Sequence, residues 1–172
     1  MDGLQVDVGY APKTTSDARD DGANQGEGAN RSSSSIAIQY TGVEGAKIFI
    51  GTGTAGAGST DSDLDTYGFT YAMGPVTIGA QHSEIDYTTA SSDLEQDSFG
   101  ISFAVNDNLS ISYGMSETEK DGDTDTQDLT GMSIGYSMGG ITIKAHSNKG
   151  ENLQQVAANE SEHTEIAVSF AF

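Results

Sequence analysis

Apolar residues recur at every second position through stretch after stretch of this chain, a period that belongs to β-strands and to no helix. The first stretch carries Leu4, Val6, Val8 and Tyr10, the second Ile36, Ile38 and Tyr40, the third Ala46, Ile48 and Ile50. Tyr67, Phe69, Tyr71 and Met73 form the fourth, and Val76, Ile78 and Ala80 the fifth. Phe99 to Val105, Leu109 to Met115, Met132 to Met138 and Ile141 to Ala145 continue the pattern, and Ile166, Val168, Phe170 and Phe172 close it. Ten strands are expected, each of about 8 to 11 residues, a length that crosses a bilayer when tilted.

The connections alternate in kind. Short turns follow the even strands: "GVEG" after Tyr40, Gly74 after Met73, "NDN" after Val105 and "GG" after Met138. Long polar segments follow the odd strands, at about 11–34, 54–64, 86–96, 118–128 and 148–162, and most of the acid falls in them. An aromatic recurs near the end of every even strand, at Tyr40, Tyr71, Phe103, Tyr136 and Phe170, with a spacing of roughly 31 to 34 residues. One hairpin plus one long connection is therefore the repeating unit.

Two architectures use such strands. A soluble sandwich turns its apolar faces inward, whereas a transmembrane barrel turns the apolar face to lipid and the polar face to a lumen. Tight turns at one end, long connections at the other and aromatics gathered at the tight-turn end favour the barrel. So does the composition of the opposite parity, which is mostly small: Gly68 and Thr70, Gly79 and Gln81, Ser110 and Ser112, Ser133 and Gly135. Closure also removes the unpaired strand edges that lipid would penalise by several kcal/mol per group. The expected fold is all-β, an antiparallel up-and-down transmembrane barrel. A soluble acidic sandwich serving as a binding or adhesion module is the alternative.

Composition narrows the functions. The chain has 172 residues, with 26 acidic against 7 basic and a formal charge of −19, which repels nucleic acid. Cysteine is absent, so disulfides and thiolate metal sites are excluded. No stretch approaches the roughly 20 apolar residues of a spanning helix, and "MDGLQVDVGY" lacks the features of a signal peptide.

Charged residues inside strands fall on the polar parity: Asp7, Lys47, Lys144, His146 and Glu165. A lysine on a lipid face near midplane would cost about 2–4 kcal/mol. With Gln5, Gln39 and Gln81 these five are the expected lining of a lumen. "DGDTDTQD" spaces Asp121, Asp123 and Asp125 like the start of a calcium loop, but Thr126 stands where that loop needs Gly and Met132 where it needs Glu. A solvated acidic loop is the plain reading, and weak Ca²⁺ or Mg²⁺ binding the alternative. His82, His146 and His163 read as ordinary rim residues, and "GTGTAGAG" lacks the Lys-Ser/Thr ending of a phosphate loop.

The ending "EIAVSFAF", the aromatic before each tight turn and the acidic long connections resemble the carboxy-terminal part of a Gram-negative general diffusion porin of the alphaproteobacterial type. The resemblance implies residence in the outer membrane, passive diffusion of small hydrophilic solutes and ions, and no enzymatic activity. It implies that Ile166, Val168, Phe170 and Phe172 form the signal read by the barrel assembly machinery, with lipids, lipopolysaccharide and a homotrimer as further partners. Such porins usually have about sixteen strands. Residues 1–172 are thus expected to be one porin-type segment, the carboxy-terminal piece of a larger barrel, with a complete ten-stranded barrel as the alternative. Acidic outer connections would favour the approach of cations at the mouth.

Overall fold

A computed structural model describes residues 2–11, 32–57, 60–88 and 93–171. Ten strands form one antiparallel sheet in chain order: β1 (Leu4–Ala11), β2 (Ser33–Tyr40), β3 (Ala46–Ala57), β4 (Thr60–Met73), β5 (Val76–Tyr87), β6 (Leu94–Asn106), β7 (Leu109–Lys120), β8 (Gln127–Met138), β9 (Ile141–Glu151) and β10 (Ser161–Phe170). Among the described residues every strand pairs only with its sequence neighbours, and β1 and β10 are not paired to each other. This is the up-and-down order that the hairpin repeat predicts.

Tight turns set the register. Met73 pairs with Val76 and Met138 with Ile141, leaving Gly74–Pro75 and Gly139–Gly140 as two-residue turns. Gly139 and Gly140 both take positive φ, 60° and 82°, as the hairpin turn that follows strand twist requires. In the β6–β7 turn, Asn106 Oδ1 accepts from the amides of Asn108 and Leu109 at 2.9 and 3.0 Å. Each of these turns also accepts a ladder bond from the next strand, as Gly140 does from Ala171 and Pro75 from Ala104, both at 2.8 Å.

Among the described residues the sheet has no second layer. Among the described residues no hydrophobic side chain is buried, and Ile38, Phe69, Ile101 and Ile134 remain 39 to 46% exposed. A sandwich would bury these four against an opposing sheet. The sandwich alternative is therefore set aside, and the apolar face lies open on the outside of the sheet. Among the described residues no helix is long and apolar enough to cross a membrane, which says nothing of crossing by strands.

One expectation needs correction. The segments 54–64, 86–96 and 118–128 are not long loops: β3 runs to Ala57, β4 starts at Thr60, β5 runs to Tyr87, β6 starts at Leu94, and β7 and β8 reach Lys120 and Gln127. Polar composition misled because these stretches keep the β ladder while changing which face is apolar. Along β4 to β8 the parity that carries Phe69, Ile78 and Ile101 becomes acidic toward the long-connection end. Cross-strand partners there form two rows, Tyr67–His82–Asp97–Glu117–Asp128–Glu151 and Asp65–Glu84–Glu95–Glu119. On the other face of the same segments Leu64, Ile85 and Leu94 face one another. The strands are thus amphipathic twice, in opposite senses, with the reversal where hydrocarbon would give way to water.

Candidate functional site: the polar face of the sheet

Pairing places all eight expected lining residues on one face. Gln5 stands opposite Gln39, Gln39 opposite Phe49, Phe49 opposite Gly68, and Gly68 opposite Gln81. Asp7 and Lys47 lie two residues from Gln5 and Phe49 on the same parity. At the far side of the sheet Lys144 pairs with Gly135 and Ala167, and His146 with Ser133 and Glu165. Glycine, serine and threonine occupy most positions between them, so this face is an almost unbroken run of backbone and small hydroxyls.

The hydroxyls and amides satisfy one another laterally. Ser112 and Ser133 Oγ lie 2.7 Å apart, Ser98 Oγ donates to Ser116 Oγ at 3.1 Å, and Gln81 Nε2 donates to Ser83 Oγ at 3.0 Å. Gln5 Nε2 donates to the Asp7 carboxylate at 2.8 Å. Such chains of bonded small polar groups suit a wall wetted by water and carry no nucleophile–base pair.

Two features escaped sequence reasoning. Phe49, in the apolar run Ile48–Ile50, has the parity of the polar face; it lies over Gly68, and Lys47 Nζ sits 5.8 Å from its ring centroid. A cation over an aromatic face contributes about 0.5–1 kcal/mol at an exposed site. The connection from β9 to β10 also folds onto the polar face. A short 3₁₀ turn, Leu153–Gln155, sets the Leu153 side chain against Gly150 and beside Leu129. Asn152 Nδ2 donates to the Thr126 carbonyl at 3.1 Å, and the Gln154 amide donates to Gln127 Oε1 at 2.9 Å. The segment closes on itself as well, Leu153 N donating to Asn159 O at 2.8 Å and Asn159 Nδ2 to Leu153 O at 2.9 Å.

The three histidines are not scattered. Among the described residues, two groups bring at least three His, Asp or Glu ligand atoms within 4.8 Å of one another: His82 with Glu95 and Asp97, and His146 with His163 and Glu165. His82 is on the acidic outer continuation of the apolar face, stacked on Tyr67 with ring centroids 4.9 Å apart, and its Nδ1 is 2.9 Å from Asp97 Oδ1. Asp121, Asp123 and Asp125 do not converge in this way; Asp123 is engaged by Lys120 Nζ at 2.8 Å.

Beyond the apolar band, crowding of carboxylates perturbs Glu84. Its pKa is raised above the ordinary carboxylate value, chiefly by the negative charge of Asp86, with desolvation and Glu95 adding to it. Of the terminal positions, Ile166 pairs with Ala145, Val168 with Ile143 and Phe170 with Ile141 on the apolar face. Phe172 lies outside the described residues.

Comparison with known proteins follows the same lines. The model of a family described as Gram-negative porin matches residues 1–172. Solved structures similar to the chain include the anion-selective porin from Comamonas acidovorans, with a TM-score of 0.76 at 12% sequence identity. That match covers 100% of this chain and 57% of the other, so the chain spans little more than half the length of that porin. At such low identity the likeness concerns the fold alone. No curated protein sequence matches the chain.

Proposed function

The chain belongs to the Gram-negative porin family, and from that premise we propose that its sheet forms the wall of a water-filled outer-membrane channel for passive diffusion of small hydrophilic solutes and ions. The observation that carries this reading is the division of one sheet into two chemistries. Ile38, Phe69, Ile101 and Ile134 are exposed on one face, and Gln5, Asp7, Gln39, Lys47, Gln81, Lys144, His146 and Glu165 stand on the other. In a bilayer the first face meets lipid, and the second has nothing to meet but water.

The sheet supports this as part of a larger barrel. In hydrocarbon the free edges of β1 and β10 would leave unpaired amides and carbonyls, each costing several kcal/mol. Ten strands closed on themselves would enclose a cylinder little wider than an eight-stranded one, which side chains fill. The small residues of this face suit a wide lumen better. Further strands between the two edges satisfy both requirements.

Diffusion through such a lumen requires no conformational cycle and no covalent step, so the protein acts as a channel and not as an enzyme. Selectivity comes from width and from the balance of Lys47 and Lys144 against Asp7 and Glu165. The acidic rows lie on the outer continuation of the lipid face, not on the pore face. They therefore contribute less to the mouth than composition alone suggests. At that height they face lipopolysaccharide, whose phosphates a divalent cation would bridge to carboxylates. Outer-membrane insertion by the assembly machinery through the apolar alternation ending at Phe172, and trimer formation, are part of the same reading.

The test is refolding into planar bilayers with reversal potentials measured in a KCl gradient, beside extraction and gel behaviour. Detergent-dependent extraction, heat-modifiable migration and stepwise ohmic conductance are expected. Solubility without detergent and no conductance would overturn the proposal.

A further inference from the structure

We infer that His146, His163 and Glu165 form a binding site for a divalent late first-row transition metal of the Zn²⁺ class on the polar face of β9 and β10. Register brings them together. His146 and Glu165 are direct cross-strand partners, and His163 precedes Glu165 by two residues, which returns it to the same face. Two of the chain's three histidines thus meet one carboxylate.

The distances fit ligands and not hydrogen bonds. Glu165 Oε2 lies 3.7 Å from His146 Nε2 and 3.6 Å from His163 Nε2, beyond the range of a good hydrogen bond. Ligand atoms on one tetrahedral ion, with bonds of about 2.0–2.1 Å, stand roughly 3.4 Å apart. All three donor atoms lie within 4.8 Å of one another, and the imidazole centroids are 6.0 Å apart. Small rotamer adjustments would close the set. The strand positions opposite His146 and Asn148 on β8 are Ser133 and Gly131, so no bulky side chain stands over the site from that strand.

Ligand chemistry chooses the ion. Two imidazole nitrogens and one carboxylate suit Zn²⁺, Cu²⁺, Ni²⁺ or Co²⁺, whereas Ca²⁺ and Mg²⁺ take oxygen shells. Three protein ligands leave a fourth position for water or a passing anion. The His82 group is a weaker candidate, having one imidazole already bonded to Asp97 at 2.9 Å. Lys144 lies two residues from His146 on the same face. A bound dication would therefore extend a positive patch along the wall and turn this stretch toward anions. That consequence, unlike the site itself, rests on the channel reading above.

The experiment is calorimetric titration of the refolded full chain with Zn²⁺ alone, and separately with Mg²⁺. Saturable Zn²⁺ binding without matching Mg²⁺ binding is expected. It should be retained by His82→Ala and weakened in the His146→Ala and His163→Ala variants by more than the roughly 10- to 100-fold that outer-shell changes cost. Equal affinity for both ions, or unchanged Zn²⁺ binding when both histidines are replaced, overturns the site. If the variants fail to regain heat-modifiable migration, Cu²⁺ bound to the wild-type chain decides by its electron paramagnetic resonance. Coupling to imidazole nitrogens supports the site, and an oxygen-only environment overturns it. Single-channel conductance separates the two readings. Zn²⁺ bound with conductance indifferent to it supports the site and removes it from the lumen; normal conductance without Zn²⁺ binding keeps the channel and removes the site.

Discussion

Phe49 stands directly across the β3–β4 ladder from Gly68, and its ring covers the space in which residue 68 would carry a side chain. A Cβ at position 68 would meet Phe49 Cζ at 2.6 Å and the Ala80 carbonyl oxygen at 2.5 Å. The ring can swing away, but the carbonyl is held in the β4–β5 ladder. Gly68→Ala is therefore expected to destabilise the refolded protein by about 1–3 kcal/mol, the usual range for overpacking. Removing the ring with Phe49→Ala should relieve only part of that loss. Urea unfolding in detergent micelles, run on the single and double variants, measures the coupling, and full relief in the double variant would contradict the assignment of the carbonyl as the limiting contact.

The two faces should respond oppositely to one substitution. Ile101 lies mid-strand on the apolar face, and Ser102 on the polar face beside it, opposite Ser112. Ile101→Lys places an ammonium in hydrocarbon and is expected to cost about 2–4 kcal/mol. Ser102→Lys places it against water and should cost far less. Folding titrations into lipid vesicles compare them, and equal losses would refute the division of the sheet.

Much of this is legible in the sequence. A period-two signal depends only on which residues meet lipid, and it placed Leu4–Tyr10, Tyr67–Met73 and Leu109–Met115 in strands that the structure contains. It failed where the solvent changes. Thr60–Asp65 keeps strand pairing although its outward parity is Asp61, Asp63 and Asp65, since above the hydrocarbon that face needs charge and not oil. Phe49 was hidden in an apolar run with no alternation of its own. The His146–His163–Glu165 group required the register of β9 against β10, which separation in sequence does not reveal.

The β9–β10 connection offers a separate test. Leu153 lies over Gly150 beside Leu129, and the loop is otherwise tied by the side chains of Asn152 and Asn159 and by the Gln154 amide on Gln127 Oε1. Leu153→Ser removes the apolar contact and leaves those bonds. Burying a leucine side chain is worth about 1.5–3 kcal/mol when complete, and here the contact is partial. Limited proteolysis should cut near Leu153–Gln155 faster in the variant while the strands remain resistant. Unchanged cutting would mean that the hydrogen bonds alone fix the loop.

Carboxylate crowding on the outer continuation gives a pH dependence whose sign is fixed. The Glu84 pKa is raised, first by Asp86 and also by Glu95, so the folded state binds the proton more tightly than the unfolded state does. Its stabilising contribution is present below the ordinary carboxylate pKa and is lost as pH rises through the raised value. Glu84→Gln is therefore expected to raise the temperature of the heat-modifiable transition at neutral pH. The difference from wild type should shrink as pH falls through the carboxylate range, and added salt should shrink it too by screening. A variant less stable than wild type at neutral pH would contradict the repulsion.

Charge on the two faces must also differ in what it does to passing ions. Asp7 and Lys144 share the polar face, while Glu117 and Glu119 lie on the outer continuation of the other, opposite Asp97 and Glu95. A fixed charge acts on an ion over about one Debye length, roughly 10 Å at 0.1 M salt, and the wall stands between the acidic rows and the lumen. Asp7→Asn should move the reversal potential toward anion preference and Lys144→Gln toward cation preference. Glu117→Gln with Glu119→Gln should leave it nearly unchanged, although that pair removes more charge than either single substitution. The comparison, made in metal-free KCl gradients, reads geometry against net charge: if selectivity instead follows the total of −19 wherever the carboxylate sits, the acidic rows face the mouth and the assignment of faces above the membrane is reversed.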